Sequence, residues 1–169
     1  MKKLAFVIAA LAMALPAAAQ QKQTRFGLGV SITPESDITP TIELYMPIDL
    51  GATLRIEPSL GIFTSDSDGL DTSDITLGAG VFLMRRPAQS VTMYYGGRLK
   101  LNLASADDGV EDDSGVDVTL AGALGGEYYL APSFSLGLEG QLGFYTSSEV
   151  SGDASGFFTT GLGFLRLFF

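Results

Sequence analysis

Histidine is absent from this chain of 169 residues, and so are cysteine and tryptophan. Without histidine there is neither the commonest general base nor the commonest metal ligand. Without cysteine there is no disulfide framework and no thiolate metal site. No catalytic residue, no metal site and no cofactor is therefore expected. Cations are scarce too, with ten Lys and Arg against nineteen Asp and Glu, and no nucleic-acid partner is expected. Beyond the first twenty residues no helical apolar period is sustained, which excludes a helical domain. What the chain has in quantity is glycine, 21 residues of it, and short runs in which apolar and polar side chains alternate.

The start of the chain reads as an export signal. Lys2 and Lys3 precede twelve apolar residues at 4–15, and Ala17-Ala18-Ala19 supplies a small-residue cleavage site. Twelve apolar residues fall short of the ~20 that a spanning helix needs. Cleavage after Ala19 makes residues 1–19 a signal peptide and 20–24 a short lead. Residues 25–169 are then one folded domain.

Within that domain, residues 91–103 (VTMYYGGRLKLNL) show the pattern most clearly. Val91, Met93, Tyr95, Leu99, Leu101 and Leu103 alternate with Thr92, Tyr94, Arg98, Lys100 and Asn102. Successive side chains of a strand point to opposite faces, so this strand has one apolar and one polar face. Its 13 residues exceed the ~9–11 that a tilted strand needs to cross a bilayer. The same period recurs at 25–33, 41–46, 53–63, 75–84, 118–130, 134–145 and 157–169. That makes eight strands.

Connections alternate in length. Short turns are expected at 47–51, 86–90 and 131–133, each with Pro or Gly. Longer segments are expected at 34–39, 64–74, 104–117 and 146–156, which in an up-and-down sheet all fall at one end. Those four segments hold fourteen of the nineteen acidic residues and none of the ten basic ones. Asp66, Asp68 and Asp71 belong to one acidic surface loop, and Asp107, Asp108, Glu111, Asp112 and Asp113 to another. The run at 66–71 lacks the spacing and closing Glu of a calcium loop.

A soluble carrier barrel alternates in the same way with its apolar face inward, so the period alone does not orient the wall. Two features do. The polar face is mostly Gly and Ala with isolated charges, unlike a soluble exterior dense in Lys and Glu. The apolar face holds more large side chains than an eight-stranded lumen can take. Turned outward, it is a lipid-facing band around a closed barrel, the one β architecture whose backbone is satisfied in a bilayer. The fold class is all-β, an eight-stranded antiparallel up-and-down transmembrane barrel. Phe26, Tyr45, Tyr95, Tyr128 and Phe134 are expected as an interfacial girdle near the short turns. Pro58, in mid-strand, predicts a bulge or local break.

At this level the chain resembles the small Gram-negative outer-membrane β-barrels of the OmpA/OmpX type, with their opacity-protein and OmpW-like relatives. The resemblance covers residues 25–169. Its most specific element is the terminal TTGLGFLRLFF, similar to the signal read by the barrel-assembly machinery. The resemblance implies an outer-membrane location, both chain ends in the periplasm and long loops at the cell surface. It also implies contact with outer-membrane lipid and lipopolysaccharide.

The inward face carries the remaining candidate residues, an interior charge network of Glu43, Glu57, Glu127 and Glu139 with Arg55, Arg98, Lys100 and Arg166. Counting across the turn near Asp49 pairs Glu43 with Arg55. Glu127 falls near Glu139, and two adjacent carboxylates call for a cation between them, from Arg98 or Lys100. Arg166 is placed inward, because an outward Arg at depth is costly. The expected function is a non-enzymatic envelope-structural or surface-interaction role with a plugged lumen. The alternatives are a narrow porin-like channel for small or hydrophobic solutes and, last, a soluble lipocalin-like carrier.

Overall fold

A computed structural model describes residues 24–32, 42–67, 70–107 and 112–169. The expected signal peptide and residues 20–23 of the lead lie outside the described residues. The elements are β1 (Arg25–Ile32), β2 (Ile42–Tyr45), β3 (Ile48–Leu50), β4 (Leu54–Ser67), β5 (Leu70–Ala88), β6 (Val91–Asp107), β7 (Asp112–Ala131), β8 (Phe134–Thr146) and β9 (Ser155–Phe168). All pairings are antiparallel. The sheet closes where β1 meets β9 over six residue pairs, Gly27 with Phe168 through Ile32 with Gly163. Both β2 and β3 lie between β1 and β4, so nine elements form eight wall strands.

The break between β2 and β3 falls at Met46 and Pro47, where a turn was expected. The turn lies farther on, at Gly51, Ala52 and Thr53, and Gly51 has the positive φ (73°) that a glycine adopts without strain. The ladder is interrupted here, not bulged. Tyr45 opposes Ser59 before the break and Ile48 opposes Ile56 after it, in one unshifted register. Two prolines account for it. Gly27 donates to the Pro47 carbonyl and Met46 to the Pro58 carbonyl, each at 2.9 Å. Neither proline has an N–H to return the bond. Of the bulge or local break expected at Pro58, the break is what occurs: Pro58 stays in register with Ala79 on β5, and the ladder on its other side stops at Ser59 and resumes at Ile56. Its irregularity is expressed on the neighbouring strand.

Two of the expected long loops are hairpin extensions. The β4–β5 ladder runs out to Ser67 opposite Leu70, and the β6–β7 ladder to Asp107 opposite Asp112. Backbone pairing does not require apolar alternation, so the reading by period stopped short of the strand ends. Asp66, Asp71, Asp107, Asp112 and Asp113 are thus on strands; Asp68, Asp108 and Glu111 lie outside the described residues. The segment 146–156 does leave the ladder, in a short 3-10 turn (Glu149–Ser151) followed by Gly152 at φ 99°.

Burial is inverted relative to a water-soluble protein. Leu124, Leu138 and Leu142 are 62–73% exposed and belong to an apolar band around the whole wall, whereas Arg55, Glu57, Arg98 and Glu139 are 0–3% exposed. Large rings are buried in the lumen beside these charges. Phe82, Tyr94 and Phe164 pack with Met84, Ala123 and Leu162, Phe82 meeting Tyr94 edge-on at 5.1 Å. Inward glycines give the rings their space: a Cβ at Gly80 or Gly96 would overlap Phe82, at Gly125 Tyr94, and at Gly137 Phe164.

Candidate functional site in the lumen

The inward positions of β2 to β9 bring all eight sequence-selected charges into the lumen, each no more than 4% exposed. Their partners differ from those counted across the turns. Arg55 faces Asp49, with Nε to Oδ1 at 2.6 Å, because the turn lies past the expected one and the register moves with it. Glu43 instead meets Lys100 at 2.8 Å across the lumen and accepts a hydrogen bond from the Tyr45 hydroxyl. Tyr45 is 2% exposed and inside, not in the girdle.

Arg98 is the hub. Its guanidinium reaches Glu57 at 2.6 Å and both oxygens of Glu139 at 2.6 and 2.8 Å. The rings of Phe82 and Tyr45 flank it at 4.7 and 4.8 Å. Glu139 also accepts from the Tyr94 hydroxyl (2.7 Å) and Gln141 (2.7 Å). Arg166 points inward, 2.6 Å from Glu57 and stacked on Phe164 at 3.8 Å. Glu127 takes Arg55 at 3.0 Å, Arg166 at 3.6 Å and the Ser135 hydroxyl at 2.6 Å. Glu127 and Glu139 are therefore held by different arginines.

Sequence reasoning missed Asp49, Tyr45, Tyr94, Ser135 and Gln141 as members. Asp49 was hidden in a supposed turn. The others sit at inward parity next to a selected charge, a signal that polar aromatics and amides carry in any luminal strand. With Asp49 the buried carboxylates number five (Glu43, Asp49, Glu57, Glu127, Glu139) against four buried cations (Arg55, Arg98, Lys100, Arg166). The fifth cation is Arg86, at the rim, 3.6 Å from Asp49. Among the described residues no group of three or more Asp or Glu is arranged to hold a metal.

At the opposite end, Asp117 ties the 146–156 segment to the wall. It accepts the Ser148 amide (2.7 Å), the Ser148 hydroxyl (2.9 Å) and the Ser151 hydroxyl (2.8 Å). Asp117→Ala is expected to speed cleavage at Glu149 by a glutamyl endopeptidase about tenfold, the equivalent of one charge-assisted hydrogen bond. Unchanged cleavage would show that the segment is held by something else.

No protein-family model matches the chain, and no curated protein matches it either. Solved structures do. Neisserial surface protein A (NspA) is 17% identical with a TM-score of 0.57, the match covering 86% of this chain and 96% of that one. Ail, the attachment invasion locus protein of Yersinia pestis, solved with the heparin analogue sucrose octasulfate, is 12% identical at a TM-score of 0.56, covering 87% and 99%. A major outer membrane protein of Thermus thermophilus is 15% identical at 0.53, covering 88% and 100%. At these identities the likeness is one of fold: this chain has the closed eight-stranded antiparallel barrel of small outer-membrane proteins.

Proposed function

We propose that the chain is a non-enzymatic outer-membrane barrel with an envelope-structural or surface-interaction role, exercised at its acidic end, and that its lumen is closed to solutes. The carrying observation is the inverted burial, with charge inside and an apolar band outside. An exterior of that kind is stable only against hydrocarbon. Export by the N-terminal signal and assembly through the C-terminal strand belong to the same reading, as does contact with lipopolysaccharide. The closed lumen is supported by Phe82, Tyr94 and Phe164 standing over glycines, with paired charges in the spaces between them.

The charge partition supports the surface role and sets its chemistry. Five carboxylates are buried in the lumen and the other fourteen lie in the four long segments, which carry no cation. A sulfated polyanion of the kind seen with Ail meets the wrong sign of charge here, so a cationic partner suits this end better.

The test is made on the mature chain refolded into lipid. It is expected to migrate differently on a gel before and after boiling and to give no discrete conductance steps in planar bilayers. Steps of defined size would establish the narrow-channel alternative. A monomer that stays folded in detergent-free buffer would overturn the membrane reading altogether.

A further inference from the structure

The short-turn end is the mirror image of the acidic one. Leaving aside Lys2 and Lys3, the basic residues outside the lumen are Lys22, Arg25, Arg85 and Arg86; Lys22 lies outside the described residues. The other three gather at one rim, where the nearest carboxylates, Asp49 and Glu127, are 0–1% exposed. Asp49 is already engaged by Arg55 at 2.6 Å, and Arg86, its side chain 39% exposed, stands 3.6 Å away. Arg25 lies over Phe168 at 4.4 Å and donates to the Pro132 carbonyl at 2.6 Å, so its guanidinium is held in place at the mouth.

Between the β5–β6 and β7–β8 turns lies a cleft of about 580 Å³, lined by Arg25, Arg86, Ser90, Tyr129, Leu130 and Pro132 among others. Its chemistry has two parts. One is a pair of guanidinium groups in its lining, Arg25 from β1 and Arg86 from β5, which recognise phosphate through fixed forks of N–H donors. The other is an opening over Leu130, 58% exposed, next to Tyr128 at 50%, onto the apolar band. Exposed Arg85, beside Met93 on the outer face, adds a third cation at the same level. A free phosphate would use only the first part; a molecule with a phosphate and acyl chains uses both.

We propose that this cleft binds the headgroup of an anionic phospholipid of the leaflet at the short-turn end, its phosphate between Arg25 and Arg86 and its acyl chains along Leu130 and Tyr128. The site deepens the membrane reading above and rests on it. It anchors the barrel's depth and orientation by charge, with phosphate-seeking groups at one rim and carboxylates at the other.

The mature barrel, refolded into phosphatidylcholine bilayers, is probed with spin-labelled phosphatidylglycerol and spin-labelled phosphatidylcholine. Phosphatidylglycerol is expected to be retained at the protein surface preferentially, by about fivefold for each arginine engaged. Arg25→Gln with Arg86→Gln should abolish the preference, and Arg25→Lys with Arg86→Lys should keep most of it. Arg86→Gln alone, at an exposed side chain, should remove about fivefold and guards against a folding defect in the double variant. Equal retention of both lipids, or a preference untouched by these substitutions, would overturn the proposal. So would displacement of the lipid by millimolar glycerol phosphate as readily as by phosphatidylglycerol, which would make the cleft a site for a free phosphate ester. Failure to insert into phosphatidylcholine at all would count against the membrane reading instead; insertion without lipid preference sinks only the site.

Discussion

Replacing Arg98 by methionine is expected to lower the unfolding free energy of the lipid-embedded barrel by about 3–5 kcal/mol, the cost of breaking a buried ion pair from one side. The loss falls unequally on its two carboxylates. Glu57 keeps Arg166 at 2.6 Å, but Glu139 keeps only the Tyr94 hydroxyl and the Gln141 amide. The methionine would fill much of the arginine's volume between Phe82 and Tyr45, so the cost is mainly the stranded charge. Arg98→Met with Glu139→Gln should therefore recover most of it, and Arg98→Met with Glu57→Gln much less. Guanidinium titration in bilayers, followed by gel migration or circular dichroism, measures all three. A single variant within about 0.5 kcal/mol of the parent would mean that the pairing contributes nothing.

Leu124→Arg carries the second large effect. Leu124 is 62% exposed near the middle of the apolar face of β7. Against hydrocarbon, an arginine at that depth costs about 2–4 kcal/mol, falling to about 0–1 kcal/mol near the interface. Leu130→Arg, beside Ala131 at the end of the same strand, is the shallow control and should cost little. A water-facing wall predicts something else: both substitutions within about 0.5 kcal/mol of the parent. Depth dependence, more than either value, is the diagnostic quantity.

The fold was legible because its defining signal is local. Alternation at 91–103 or 134–145 sorts side chains into two faces whatever lies across the sheet, and eight such runs with alternating connections leave few ways to close a wall. Facing was legible from the size of the polar-face residues, since Gly125 and Gly137 make sense only beneath something large. Partners were not legible, because they depend on register, and register depends on where each turn sits. Placing the turn at 47–51 instead of 51–53 moved Arg55 from Asp49 to Glu43 and left Asp49 out of the lumen. Contacts across the lumen, such as Lys100 to Glu43, follow from barrel closure and have no trace in neighbouring residues. Tyr45 was misplaced because an aromatic near a strand end fits a girdle and a lumen equally well by composition.

The paired prolines give the wall an uneven stiffness. Opposite Pro47 and Pro58 the carbonyls of Gly27 and Met46 have no amide to receive, so two rungs at neighbouring levels are single. A hoop under radial load yields where it has fewest ties. The sector from β1 to β4 is accordingly expected to yield to a change in bilayer thickness before the β4–β5 ladder, which runs from Leu54 to Ser67 without a shift of register.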